Sequence, residues 1–470
     1  SGGTQTIDFS AAGVHTLVLT GGMIGTSSAS GAGASIESAG AQTILNSGTL
    51  AINLTGGNVT LNTQSSYDDY GLPSQRLICS NCATHNSAQI RSKSSQTIAA
   101  TTITILGGSG GNGNHAGIDA DGASTIVATG AVSITGGGTG GIYVGGIHED
   151  YVQNDAGISA NGALNLTAAS ILLNGGAANF GGAYIGGGSS ITVNTSGNLT
   201  LNGGTSLEPV GAALLYTDGS PTTMKWYAPA VIGSDAGSLT SIVLNVGGNL
   251  ALNGGTLGQD GGSMALIGGV RNTPINLVIN SQGAISMNST NALSDRIGSK
   301  AGGTFVLNSG LGGTGSMTLG KGLIGTGYGM GGSLQLYSTG TGPGIFQDAA
   351  GMIVTDHLNA TATGAGPIDL VSFENRVGNL NATTANQAIT FNGRSVGLGT
   401  INSGTGNSTI SAFYDIHDNN GSGVTNITAG SASLVSSNGG TSGSLAISAD
   451  VKSANATNAT VTGGSTYGGI

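Results

Sequence analysis

Charged and aromatic residues are scarce in this chain. Only 7% of its 470 residues are charged and 4% are aromatic, and 21 acidic side chains outnumber 11 Lys and Arg, for a net charge of −10. Binding along a nucleic-acid backbone needs clustered positive side chains, so this balance argues against a nucleic-acid partner. No stretch approaches the roughly 18 consecutive apolar residues of a membrane span, and we expect no direct membrane insertion.

Cysteine is almost absent, and the two that occur, Cys79 and Cys82, lie close together. Haem attachment would require His where the chain has Ala83, a thioredoxin-type motif would be followed by a helical pattern, and zinc would find only a third ligand in His85. Two interpretations remain, a short disulfide that pins a loop or a reduced pair without a role. We expect neither a metal nor another cofactor.

Glycine, in contrast, is abundant, with 90 residues beside a hydrophobic fraction of 38%. That fraction is too high for a disordered segment, so the chain can bury a core. A unit of about 22 residues recurs, and a fixed period of this kind is typical of a solenoid. The copies span 35–57, 88–108, 116–137, 156–176, 183–204 and, more loosely, 263–289.

Each copy holds three short segments in which apolar residues alternate with small polar ones, as over 131–135 (AVSIT). This is the period of a strand with one buried face. Pairs such as Asp121-Gly122 and Thr129-Gly130 separate the segments, and we expect positive φ values at these corners. The pattern predicts an all-β, right-handed parallel β-helix in one continuous domain over 1–470, part of a longer chain. An antiparallel array is the alternative, since Asp-Gly also favours hairpins.

One corner, after the third segment, accepts insertions of variable length. We expect loops at about 65–84, 142–154 and 216–238, and loops on a rigid scaffold are common binding sites. They contain the candidate binding residues Tyr67, Tyr70, Tyr143, Tyr151, Trp226 and Tyr227. Small satellite clusters packed over the coil are one interpretation of these aromatics, and contact with a carbohydrate or receptor is the other.

Acidic side chains form four small groups that could carry chemistry. Paired acids can run glycoside hydrolysis or hold a cation, and Asp119 and Asp121 would point to the same side of a strand. The groups are Asp68 and Asp69; Asp119 and Asp121; His148, Glu149 and Asp150; and Asp415, His417 and Asp418. Because they fall in different copies with few Lys or Arg nearby, we expect solvated turn residues and no catalysis.

The repeats resemble the exoprotein bodies of the filamentous haemagglutinin-like, two-partner-secreted family of Gram-negative bacteria. The resemblance is carried by QTI at 96–98, by Gly pairs such as 107–108, by N-x-A-x-I at 114–118 and 154–158, and by 367–401. It implies a right-handed β-helix, export across two membranes, and a role in adhesion, biofilm or surface filaments. The family's Asn-Pro-Asn secretion motif is absent, so autotransporter passengers and self-assembling extracellular filaments stay open as relatives.

These observations together predict an extracellular or cell-surface structural protein, an adhesin or matrix fibre, that works without catalysis. Its partners would be glycans or proteins on host or neighbouring cells, met by weak loop contacts that add through repetition. A subunit of a filament that stacks end to end, with the chain itself as partner, is the first alternative. A polysaccharide-active β-helix enzyme is the second.

Overall fold

The computed structural model describes most of the chain. The described residues are 3–9, 11, 13–24, 33–59, 64–67, 73–76, 87–109, 114–138, 155–176, 181–205, 229–234, 238–255, 264–269, 274–289, 294–299, 301–326, 329, 331–420, 424–437 and 458–463. Every regular element among them is a β-strand. None of these residues belongs to a helix long and apolar enough to cross a membrane.

The strands follow one another as coils of a parallel β-helix, which confirms the fold class predicted from the sequence. Ala88 pairs with Ala116, Ala116 with Ala156 and Ala156 with Ala183, always in parallel. These pairings join the first strands of successive copies, and the second and third strands pair with their own counterparts in the same way. Each copy of the repeat is therefore one coil of three strands.

Contacts divide the chain into two compact units, which we describe separately. Unit 1 comprises Ser1–Ser189, Leu201–Ile232 and Gly255–Ala265, and unit 2 comprises Ser190–Thr200, Gly233–Gly254 and Leu266–Ile470. The strands wholly within unit 1 are Gln5–Phe9, Val14–Thr20, Met23–Ile24, Ala34–Ser38, Gln42–Asn46, Thr49–Thr55, Asn58–Val59, Gln64–Tyr67, Pro73–Arg76, Ala88–Ser92, Gln96–Ala100, Thr102–Leu106, Ala116–Ala120, Ser124–Ala128, Ala131–Thr135, Ala156–Ala160, Ala163–Ala168, Ser170–Asn174 and Ala183–Gly187.

Unit 2 continues with the same kind of element. Its strands are Ser190–Thr195, Ser241–Val246, Leu250–Asn253, Asn276–Ser281, Ile285–Met287, Asp295–Gly298, Thr304–Ser309, Met317–Gly320, Leu323–Gly325, Ser333–Ser338, Ile345–Gln347, Met352–Ala362, Ile368–Leu370, Arg376–Thr384, Ile389–Gly393, Val396–Asn402, Asn407–Ala412, Ile416–Asp418, Ile427–Thr428, Ser431–Ser436 and Asn458–Gly463. Leu199–Asn202, Ala230–Ser234 and Ala265–Gly269 lie where the chain passes from one unit to the other.

The core of unit 1 consists of columns of aliphatic side chains. One column contains Ile90, Ile118, Ile158 and Ile185, all without exposed surface. Neighbouring strands are about 4.8 Å apart, so each side chain packs on its equivalent in the next coil. Alternate residues face inward, as in Gln96–Ala100, and the residues between them face out. Any functional side chain of a coil therefore lies at an outward position or at a corner.

Glycine shapes the corners by its small size. The expectation of positive φ at Gly122 and Gly130 is wrong, because neither residue adopts it. A Cβ added to Gly122 would instead lie 2.9 Å from the carbonyl oxygen of Ser94, and one added to Gly130 would lie 2.8 Å from that of Thr101. These corners need glycine because the backbone of the neighbouring coil passes too close for a side chain.

Some coils of unit 2 have a simpler construction. Met352–Ala362 is a single strand that pairs with Leu323–Gly325 at its start and with Ser333–Ser338 further on. It therefore takes the place of both the first and the second strand of its coil, with no corner between them. Unit 1 keeps its first and second strands separate in each described copy of the repeat.

Strands also occur inside two of the segments expected to be loops. Gln64–Tyr67 and Pro73–Arg76 form an antiparallel pair, within or at the edge of the expected 65–84 insertion. Ala230–Ser234 lies within the expected 216–238 insertion. AVIGS has no alternation of apolar and polar residues, and residues 230–233 are all buried, so the period-2 pattern did not mark this strand.

Candidate functional site

The aromatic and cysteine residues singled out in the sequence stay predictions. Tyr70, Tyr143, Tyr151, Trp226, Tyr227, Cys79 and Cys82 lie outside the described residues, as do Asp68, Asp69, His148, Glu149 and Asp150. Only the backbone of Tyr67 is described, at the end of its short strand. The site developed below is built instead on the first strands of three coils in unit 1.

Two neighbouring copies of the repeat create this site by carrying different residues at equivalent positions. Residues 114–120 read NHAGIDA and residues 154–160 read NDAGISA. Because Ala116 pairs with Ala156, His115 lies beside Asp155 and Asp119 pairs with Ser159. The in-register stacking of two similar heptapeptides thus brings together two pairs of polar side chains that lie 40 residues apart in sequence.

His115 is the centre of the cluster. Its Nδ1 lies 2.8 Å from Asp155 Oδ1, and its Nε2 lies 3.4 Å from Asp119 Oδ2. The Ser159 hydroxyl donates a 2.6 Å hydrogen bond to the other oxygen of Asp119. The side chains of all three ionisable residues are only 16–17% exposed. We call His115, Asp119, Asp155 and Ser159 the ion cluster.

Two glycines make room for the rings of the site. A Cβ on Gly117 would collide with the imidazole of His115, and a Cβ on Gly157 would collide with the ring of Tyr184. The two rings therefore lie close over the sheet, with centroids 6.3 Å apart and planes 18° apart. The AGI segment common to both copies is what allows aromatic side chains to cover the backbone here.

The electrostatics hold His115 in its charged form. Burial works to lower the pKa of His115, but the charge of Asp155 and the hydrogen bonds with both carboxylates outweigh it and raise the pKa to about 10. For Asp119, burial works to raise the pKa, yet the hydrogen bond and charge of His115 bring it below its ordinary value. Burial and the two nearby carboxylates raise the pKa of the Tyr184 hydroxyl well above 10.

Beside the ion cluster lies an open groove of about 290 Å³. Its lining is polar and comes from three successive coils: Gln89, Arg91, His115, Asp119, Ala120, Asp121, Ser159 and Asn161. Arg91 lies on one coil, 3.4 Å from Asp121 on the next coil. Their side chains are 43% and 39% exposed, respectively. The groove therefore has a fixed, mostly buried side and a solvated rim.

Comparison with known proteins returned no match. No protein-family model, no curated protein and no solved structure matches this chain.

Acid–base or nucleophilic chemistry needs a group that can exchange a proton with a substrate. His115 faces a carboxylate at each ring nitrogen, and its raised pKa makes it a poor base near neutral pH. The Ser159 hydroxyl donates to Asp119, so His115 does not activate it as a nucleophile. The arrangement is suited to fixing charge and geometry between coils and to presenting a polar rim.

The expectation of solvated turn residues fits some of the acidic groups and fails for one. Asp415 is 36% exposed and contacts His417 Nδ1 at 3.0 Å, and Asp418 accepts a hydrogen bond from the backbone N–H of Asn420, as turn residues do. Asp119 is mostly buried in the ion cluster, so the expectation is wrong there. Asp119 and Asp121 do line one groove, but each has its own cationic neighbour rather than the other acid.

Unit 2 contains a different buried acid, Asp295. It has no exposed surface and accepts hydrogen bonds from the backbone N–H of Gly254 and, at 2.7 Å, from that of Ser289. Burial raises the pKa of Asp295 to about 7, although the two backbone hydrogen bonds act in the opposite direction. Asp295 joins the ends of two coil segments, and it does not line the groove of unit 1.

Proposed function

We propose that this chain is a non-catalytic scaffold of the bacterial cell surface or extracellular matrix, an adhesin or matrix fibre. Its stacked coils would resist unfolding and carry binding sites on their outer faces. The supporting observation is the ion cluster, in which the histidine best placed for chemistry is held between Asp119 and Asp155. A Gram-negative origin and export to the surface follow from the sequence resemblance and belong to the same proposal.

Adhesion of coated beads tests this proposal. Beads carrying the purified chain are expected to attach to bacterial or host cell layers more than beads carrying an unrelated β-helix of similar charge. Deleting 65–84, 142–154 or 216–228 then tests whether the predicted loops contribute, and the third deletion stops short of the predicted end at 238 to spare the strand Ala230–Ser234. Attachment no greater than that of the control protein would contradict the adhesin role.

The enzyme alternative has its own measurement. The chain is incubated with a panel of neutral and acidic polysaccharides, and the release of reducing ends is followed. We expect no release above that of heat-denatured protein. Release that disappears in His115→Gln would replace the scaffold proposal with a catalytic one.

A further inference from the structure

The rim of the groove in unit 1 combines planar hydrogen-bonding groups with partial solvent exposure. Arg91 has five N–H donors, and its contact with Asp121 at 3.4 Å is long for a charged pair. The carboxylate of Asp121 supplies acceptors, while the carboxamide of Asn161 supplies donors and an acceptor on the next coil. Arg91 and Asp121 can turn toward a ligand at little cost because the contact between them is weak and solvated, and Asn161 is exposed.

The opposite side of the groove is fixed. Asp119 is held by the 2.6 Å hydrogen bond from Ser159, and His115 is held by its 2.8 Å contact with Asp155. His115 and Asp119 are also 3.4 Å apart, but unlike the rim pair they are only 17% exposed. All of these residues lie on or next to paired strands rather than on inserted loops. A ligand would therefore meet a wall that needs no reordering, which lowers the entropic cost of binding.

The charges around the groove select the class of ligand. The charged side chains that line the groove are balanced, with Arg91 and the protonated His115 against the carboxylates of Asp119 and Asp121. An anionic ligand such as a uronate or sulfate would meet the two carboxylates, and a metal cation would meet the guanidinium and the imidazolium. A neutral ligand rich in hydroxyl groups avoids both penalties and can pair with every rim group.

We propose that this groove binds a neutral saccharide, with sugar hydroxyls hydrogen-bonded to Arg91, Asp121 and Asn161. The volume of about 290 Å³ lies just below the roughly 300–1,000 Å³ of typical ligand pockets, which suits one or two sugar rings. This assignment rests on the proposed non-catalytic function and places a binding site on the coil itself, apart from the predicted aromatic loops.

Isothermal titration of the purified chain tests the assignment with neutral glucan, mannan and galactan oligosaccharides and, in parallel arms, with oligogalacturonate and a sulfated oligosaccharide. At least one neutral series is expected to bind, and the acidic series to bind more weakly. Asp121→Ala and Asn161→Ala should each weaken binding about tenfold or more, because a hydrogen bond to a charged or planar rim group is lost. Stronger binding of the acidic series would overturn the charge argument.

Asp369→Ala is the matched control, since Asp369 lies at an outward, half-buried position of a strand in unit 2. It should leave saccharide binding unchanged, and all variants should keep the circular-dichroism spectrum of the parent chain. No binding of any neutral series, or equal binding by the parent chain and the two groove variants, would refute the site. If beads that carry Asp121→Ala still attached to cells, the adhesin proposal would stand without this site. If beads that carry the parent chain did not attach, the adhesin proposal itself would be refuted.

Discussion

Two outward columns, one in each unit, differ in a simple way. Unit 2 repeats one residue along a second-strand column, Asn194, Asn245, Asn280 and Asn308, and each amide donates to the preceding one at 2.8–2.9 Å. Unit 1 places unlike residues along a first-strand column, Arg91, Asp119 and Ser159. Like residues in register form a ladder that stabilises the stack, while unlike residues in register form a charged site. The same backbone geometry therefore produces a stabilising ladder in one column and a candidate binding site in the other.

Removal of Asp155 should have the largest effect on stability. Asp155→Ala leaves the largely buried imidazolium of His115 with one carboxylate at 3.4 Å in place of two, and we expect a loss of about 3 kcal/mol in the free energy of unfolding. Urea denaturation measures the loss, and hydrogen exchange in Ala116–Ala120 locates it. An unchanged denaturation midpoint would show that the ion cluster does not stabilise the coils.

Interruption of the asparagine ladder should cost less. Asn280→Ala removes the hydrogen bonds to Asn245 and Asn308, and we expect a loss of about 2 kcal/mol, at roughly 1 kcal/mol for each neutral hydrogen bond. Asn194→Ala, which removes the single amide bond with Asn245, is the matched control and should cost about half as much. Equal costs for the two variants would contradict the ladder.

The two units should lose stability in different pH ranges. The folded pKa of His115, about 10, lies above its ordinary value of 6.5, so its contribution is complete below about pH 6.5 and is lost as the pH rises toward 10. The folded pKa of Asp295, about 7, lies above its ordinary 3.8, so the folded state binds the proton more tightly and stability falls as the pH rises from about 4 to 7.

One substitution should abolish each of these two pH-dependent losses of stability. His115→Gln is expected to abolish the loss of stability above pH 6.5, and Asp295→Asn the loss between about pH 4 and 7. Each group should change the free energy of unfolding by at most about 1.4 kcal/mol for each pH unit. Urea denaturation between pH 4 and 10 measures both. If His115→Gln instead abolished the loss of stability between about pH 4 and 7, His115 would not be the group responsible for the loss at higher pH.

The smallest effect should come from the rim of the groove. Arg91 and Asp121 are both exposed by more than a third, and exposed ion pairs contribute about 0–1 kcal/mol. Arg91→Gln is therefore expected to change the free energy of unfolding by less than about 0.5 kcal/mol, measured by urea denaturation. A loss comparable to that of Asp155→Ala would mean that the rim is part of the structural cluster rather than available to a ligand.

The fold could be predicted because its determinants are local and repeated. Alternation within segments such as 131–135 and the return of the unit at 116 and 156 correspond directly to strands and to their register. The reason for the corner glycines could not be predicted from local sequence. Gly122 is required because the backbone of the neighbouring coil passes too close for a side chain, and not because of its own φ. The fused strand Met352–Ala362 likewise depends on pairing with two different strands.

The candidate site was only partly visible in the sequence. Asp119 and Asp121 stand out as alternating acids, but His115 and Asp155 occupy the variable position of the N-x-A-x-I pattern, where a search for similarity passes over them. Alignment of the two copies, followed by comparison of the residues that differ, would have paired His115 with Asp155. The burial of His115 and Asp155 and the packing of the Tyr184 ring over Gly157 could not be predicted, because they depend on how neighbouring coils pack.

The central claim is that unlike residues at equivalent positions of adjacent coils form one charged site around His115. Titration of the His115 imidazole by NMR tests it most directly, with His115→Gln to assign the signal. We expect the ring to stay protonated to about pH 10 and its pKa to fall in Asp155→Asn. An imidazole that titrates near 6.5 in the parent chain would contradict the claim.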